Sequence, residues 1–166
     1  QLYENMQTDN IESLLEYLNV QLTKNIIYDI SSYLKGNSYI NNHISFIVNA
    51  NTRRIILYKF NVFYKSNRFP YSSHSEVEGV NHFIKKHRTR HNCKIIFIVI
   101  KISKTGIIGN SKPCKYCAIH LHNNLNILNV DSIFYSTKND GLINLNKKNL
   151  LNNEFKLSAG FSRHIS

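Results

Sequence analysis

Two short stretches hold the residue types that can do chemistry. His74-Ser75-Glu76 places an imidazole and a carboxylate two positions apart, and Pro113-Cys114-Lys115-Tyr116-Cys117 places two thiols three apart. Two cysteines at that spacing read as a metal pair or a redox pair. Cys93 is the only other cysteine, so a disulfide scaffold is excluded. Taken singly, each residue has an ordinary reading. His74 alone suits a surface or hydrogen-bonded histidine. Glu76 alone suits the first turn of a helix, where a negative charge meets the positive end of the macrodipole. Cys93, at the edge of an apolar run, reads as a core cysteine, and His120 and His122 read as a solvated helix face.

Together the residues say more. The order His-x-Glu, then Pro-Cys-x-x-Cys, is the signature of zinc deaminases. Over roughly residues 11–148 the chain resembles the cytidine deaminase-like superfamily. Ser111, three positions before Cys114, fits the same pattern. The resemblance implies one Zn2+ per chain, held by His74, Cys114 and Cys117. It implies Glu76 as the catalytic group, uncoordinated, which passes a proton to the ring nitrogen of the base and on to the leaving amine. It also implies substrate contacts. Asn61 would hydrogen-bond the sugar or base, small Ser75 would let its backbone N–H approach the base carbonyl, and the loop at Ser111 would offer a backbone carbonyl to the exocyclic amine.

Elementary chemistry is consistent with that assignment. A catalytic zinc site wants three protein ligands and an open fourth position. Two thiolates and a histidine at helix starts would be stabilised by free N–H groups and the macrodipole. One departure bears on the substrate. Deaminases of free cytidine carry Asn-Val-Glu-Asn near this asparagine, with the glutamate on the ribose. This chain reads Asn61-Val62-Phe63-Tyr64, and Phe63 cannot accept that hydrogen bond.

The elements that must position these residues follow from periodicity. Ile11, Leu14, Leu15, Leu18, Leu22, Ile26, Ile30, Tyr33 and Leu34 step by threes and fours, so 11–34 is one amphipathic helix or two in succession. A strand is expected at 44–48 and a long second strand at 55–64. A loop with Pro70 follows at 65–73, then a helix at 76–87. The run at 94–102 suits a central strand covered on both faces. A helix at 117–125, a strand at 130–137, a hairpin turn at Asn139-Asp140-Gly141 and a strand at 142–146 complete the order. The expected fold is an α/β three-layer sandwich, a mixed five-stranded sheet with helices on both faces and its fourth and fifth strands antiparallel. No linker or repeat divides it, so residues 1–166 read as a single domain, with an acidic helical region at 9–35 and a basic body at 36–166.

Charge separates the two regions. Residues 1–34 carry a net −4 and the remaining 132 a net +15. Lys85, Lys86, His87, Arg88, Arg90, His91 and Lys94 cluster around the end of the 76–87 helix, about 14 Å from its start. They read as a favourable C-terminal charge cluster or as a phosphate track. Arg68, Phe69 and Tyr71 precede His74, where a loop can stack on a base. The longest apolar run is six residues, so no membrane span is expected. Residues 1–10 show no secretory signal, so the expected setting is intracellular.

Three functions follow in order. The first is a zinc-dependent hydrolytic deaminase of cytosine in a nucleoside or nucleotide. The second is a deaminase acting on cytosine or adenine in single-stranded DNA or RNA. The third is a zinc-stabilised binding protein without catalysis. The partner is thus a cytosine-containing small molecule or a single strand, with association into a homo-oligomer left open.

Overall fold

The computed structural model of the chain describes residues 2–36, 39–64, 71–86 and 92–150. Helices α1 (Leu2–Glu16) and α2 (Lys24–Gly36) come first, divided at 17–23. Strands β1 (Asn41–Asn49), β2 (Ile55–Phe60), β3 (Val62–Tyr64) and β4 (Tyr71–Ser73) precede helix α3 (Ser75–Lys86). Then come β5 (Ile95–Ser103), β6 (Ile108–Gly109), α4 (Lys115–Leu128), β7 (Val130–Ser136), β8 (Leu142–Leu145) and a 3-10 turn at Lys147–Asn149. The residues 65–70, 87–91 and 151–166 lie outside the described part, and with them Arg68, Phe69, His87, Arg88, Arg90 and His91.

The main sheet runs β2-β1-β5-β7-β8, with short β6 also paired to β5. It is mixed, because β5 and β7 are parallel and the other pairs antiparallel. Strand β5 is central, as its unbroken apolar run requires. Its alternate residues build two cores. Ile95, Phe97 and Val99 pack with Val80 and Phe83 of α3 and Ala118, Leu121 and Leu128 of α4. Ile96, Ile98, Ile100 and Ile102 pack with Ile11 and Leu15 of α1 and Ile26, Ile30 and Leu34 of α2. Each fully buried isoleucine contributes about 1.5–3 kcal/mol relative to exposure, so this one strand welds both helix layers to the sheet. The layered mixed sheet is the architecture that the sequence resemblance implies, with β6 added as a sixth short strand.

The expected second strand is broken at Asn61. Up to Phe60 it pairs with β1, whereas Val62–Tyr64 pairs with Tyr71–Ser73 in a separate ribbon. The cause is local. The backbone N–H of His43 donates to the side-chain oxygen of Asn61 at 3.2 Å, where a ladder would use a main-chain carbonyl. A side chain that takes a ladder bond ends regular pairing there.

At the other end of the sheet, β7 and β8 form the expected antiparallel pair. Their turn is held by Thr137, whose hydroxyl donates to the Gly141 carbonyl at 2.7 Å, and Gly141 alone takes a positive φ, +69°. Cys93 departs from its expected core position. It is half-buried, because the buried face of β5 begins only at Ile95.

Gly79 marks the closest approach of α3 to the sheet. A Cβ there would lie 2.8 Å from Ser45 Oγ, and that hydroxyl is already held by the Ser75 carbonyl at 2.6 Å. Gly79→Ala should therefore destabilise the protein by about 1–3 kcal/mol, although alanine favours a helix by about 1 kcal/mol. Urea unfolding of the variant measures this, and Ser45→Ala in the same chain should relieve the overlap.

Candidate metal centre

Both helices that carry the chemical residues begin at the same end of the sheet, and serines seat them there. On α3, the Ser75 carbonyl accepts from Ser45 Oγ of β1. On the approach to α4, Ser111 Oγ donates to the Val99 carbonyl at 2.6 Å and accepts from the Ser136 N–H at 2.8 Å. That ties the loop ahead of Cys114 to the ends of the parallel strands β5 and β7. Ends of parallel strands are where open α/β sheets hold their ligands.

Seated in this way, the helix starts bring His74, Cys114 and Cys117 together. Their ligand atoms all lie within 4.8 Å of one another, and among the described residues no other such group occurs. His74 Nδ1 is 3.2 Å from Cys117 Sγ and 3.6 Å from Cys114 Sγ. Bond lengths of about 2.3 Å to sulfur and 2.0–2.1 Å to nitrogen make the edges of a zinc tetrahedron about 3.5–3.8 Å. The three donors are thus close to the spacing that zinc requires, and one nitrogen with two sulfurs is a donor set that it favours.

The protonation states support metal binding. The Cys117 thiol holds Cys114 down to about 4, with His74 and the Cys117 N–H adding to the effect and burial opposing it. Cys117 is raised by Cys114 first, then by burial and by Glu76. One thiolate and one thiol thus share the site, and a cation would displace the remaining proton. His74 is raised, first by Cys114.

Glu76 stands beside the trio and outside it. It is 4% exposed, and its Oε2 is 3.9 Å from Cys117 Sγ. Burial raises its pKa, while its own backbone N–H and His74 pull it back. A buried carboxyl whose pKa is raised holds a proton more readily than an exposed one. Ser75 is fully buried, and its hydroxyl meets no partner in hydrogen-bond geometry.

The other expected contacts fall at two places. Asn61 follows β2, and the β3–β4 register pairs Val62 with Ser73. Asn61 itself is bonded to His43 of β1: its N–H donates to the His43 carbonyl at 3.3 Å and its Oδ1 accepts from the His43 N–H at 3.2 Å. The Ser111 hydroxyl is fully engaged with Val99 and Ser136, so what remains for a ligand is its carbonyl. His120 is not in the cluster. Its Nε2 lies 2.9 Å from Asn81 Oδ1, tying α4 to α3. His122 is exposed on the same helix.

Two neighbours of the site were not found by sequence reasoning. His43 lies on β1, two positions before Ser45 and on the same face. Burial pushes its imidazole down to about 4, His74 and Lys101 add to this, and Cys114 opposes it. Strand alternation places His43 opposite the Ile44 face, but only the seating of α3 makes that face a site. The second is Tyr33 of α2, which reads as one more apolar helix position.

No family model matches the chain, and no curated protein matches it. Among solved structures, the crystal structure of cytidine deaminase from Burkholderia pseudomallei is similar, with 12% identity and a TM-score of 0.49, over 81% of this chain and 100% of that one. Fold and cluster together define the chain as an α/β sandwich with a His/Cys/Cys candidate metal centre at the end of its sheet. Among the described residues no helix is long and apolar enough to cross a membrane.

Two predictions follow from this geometry. Elemental analysis should find one zinc per chain, lost in Cys114→Ala, with affinity falling as pH falls because thiolates must be formed. An active metal-free protein, or a Cys114–Cys117 disulfide in the active form, would contradict it. The second concerns His43, whose folded pKa of about 4 lies below the ordinary 6.5. Its neutral form is favoured on folding, so its stabilising contribution is complete above 6.5 and is lost as pH falls toward 4. Between pH 7 and 5 the wild type should lose more unfolding free energy than His43→Gln. An equal loss would mean that His43 carries its charge inside the folded protein.

Proposed function

We propose that the chain is a zinc-dependent hydrolytic deaminase that converts cytosine to uracil in a nucleoside or nucleotide and releases ammonia. One observation carries this reading. A buried, uncoordinated carboxylate, Glu76, stands next to three donors spaced for one metal ion. A purely structural site has no use for it, since burial of a carboxylate is unfavourable without a role or a partner.

Zinc held by His74, Cys114 and Cys117 would supply Lewis acidity and make water a nucleophile at neutral pH. The remaining work belongs to the chain. Glu76 takes one proton of the attacking water and gives it to the ring nitrogen of the base, then takes the second from the new hydroxyl and gives it to the amine, which leaves as ammonia while the carbonyl forms. The Ser75 N–H receives the base carbonyl, the Ser111 carbonyl receives the exocyclic amine, and Asn61 holds the sugar or base.

A second reading, a deaminase of single-stranded DNA or RNA, has an observation of its own. Lys59 of β2 and Lys85 and Lys86 of α3 stand close enough to His82 that, after burial, their charges lower its pKa. This basic group lies at the end of α3 opposite the one that bears His74. It suits phosphates beyond the reacting base.

Turnover of cytidine, deoxycytidine, their monophosphates, adenosine, guanine and single strands tests both readings. Glu76→Gln should retain zinc and fold while losing activity by about 10²–10⁴-fold or more. Loss of zinc along with activity would make Glu76 a ligand or a scaffold residue. For a nucleoside or nucleotide, kcat/KM should change little between low and physiological salt. A steep fall, with activity on strands reduced by Lys85→Glu and Lys86→Glu, would favour the polymer.

A further inference from the structure

Asn61 is more constrained than a substrate contact needs to be. Its Oδ1 accepts from the Tyr33 hydroxyl at 2.9 Å and from the His43 backbone N–H at 3.2 Å. The same hydroxyl lies 3.0 Å from the Asn61 main-chain carbonyl. The two ends of an amide side chain look alike in shape, so the partners must decide which is which. Here they do. A backbone N–H only donates, so the atom it meets is the amide oxygen. With Oδ1 so identified, the single proton of the Tyr33 hydroxyl is shared between that oxygen and the main-chain carbonyl. That proton is secure, since burial first, then Tyr39, pushes the phenol up to about 12. The ring is fixed by stacking on Phe60, with centroids 4.1 Å apart and planes 10° from parallel.

The consequence falls on the other end of the amide. With Oδ1 engaged twice, Nδ2 keeps two N–H bonds that no described residue accepts. Asn61 is held against the backbone of His43, two positions along β1 from Ser45, whose hydroxyl holds the carbonyl of Ser75, the residue next to His74, so these donors lie on the stretch of β1 against which α3 starts.

We propose that Tyr33 is a positioning residue that holds the Asn61 amide in the polarity set by the His43 N–H, so that Asn61 meets the substrate only as a donor to an acceptor oxygen or nitrogen. This rests on the reading that the His74 centre binds and turns over a substrate. The acceptor class includes a base carbonyl, a sugar hydroxyl and a phosphate oxygen. It excludes recognition of an amino group by Asn61.

Two variants and their combinations test it. Tyr33→Phe keeps the stack on Phe60 and removes only the hydroxyl. Asn61→Asp keeps both accepting positions and removes the Nδ2 donors. If Asn61 acts as a donor, Asn61→Asp should lower kcat/KM by about tenfold or more while retaining zinc. If Tyr33 acts through Asn61, Tyr33→Phe should lower kcat/KM about fivefold, the size of one neutral hydrogen bond. In the Asn61→Ala background it should then have almost no effect. Equal losses in both backgrounds, or an unimpaired Asn61→Asp, would overturn the proposal.

Urea unfolding reads the clamp without any activity. Tyr33→Phe should lower the midpoint of the wild type more than that of Asn61→Ala. Equal shifts would show that the hydroxyl does not hold Asn61 and would also overturn the proposal. A protein that turns over no substrate in the screen would count against the deaminase reading, while the unfolding cycle would still decide whether Tyr33 holds the amide.

Discussion

Where two helices begin on the end of the sheet is the constraint on which the rest depends. Ser45 fixes the first turn of α3 from β1, and Ser111 fixes the loop before α4 between β5 and β7. Both hydroxyls are buried, and a buried hydroxyl deprived of its carbonyl partner costs about 1–3 kcal/mol. The seats are therefore specified. Once they hold, His74 and Cys114 can only be neighbours, and Cys117 follows one helical turn beyond Cys114. Gly79 belongs to the same constraint, because α3 can sit this close to Ser45 only without a Cβ at that position.

Charge in the site then follows from proximity. Two thiols and an imidazole this close cannot titrate independently. Cys114 takes the negative charge because a thiol donor and a backbone N–H face it, and Cys117 keeps its proton because it is buried beside that thiolate and Glu76. Glu76 is held toward its neutral form by burial, while His74 nearby favours its ionised form. The serines thus act on electrostatics through geometry alone, since neither touches the trio.

The break at Asn61 shows how the sheet yields at one place. A regular ladder would have spent the His43 N–H on a main-chain carbonyl and left the asparagine side chain free to turn. Taking that bond through Oδ1 coincides with the end of β2, beyond which Val62–Tyr64 pairs with Tyr71–Ser73 in its own ribbon.

Much of this was legible in the sequence. Apolar steps of three and four mark α1 and α2, the run Ile95–Ile100 marks the central strand, and turn residues mark the β7–β8 hairpin. These signals are local, because periodicity reports which face of an element is covered. The trio and Glu76 were legible too, since two of the ligands lie one helical turn apart and the spacing of His74 to Glu76 is equally short. What sequence did not contain was anything carried by long-range pairing. Ser111 reads as a motif residue whose side-chain use is invisible until Val99 and Ser136 are beside it. Cys93 reads as core because it borders an apolar run, but the covered stretch starts two residues later. Tyr33 reads as one more apolar position, and His43 lies just outside the strand expected at 44–48. Their partners lie 28 and 18 residues away in the chain, across strand and helix boundaries. Residue type and spacing determined which chemistry the chain can attempt. Only tertiary packing decided which hydroxyls, amides and imidazoles meet, because those contacts depend on strand register and helix seating, and neither has a local signature.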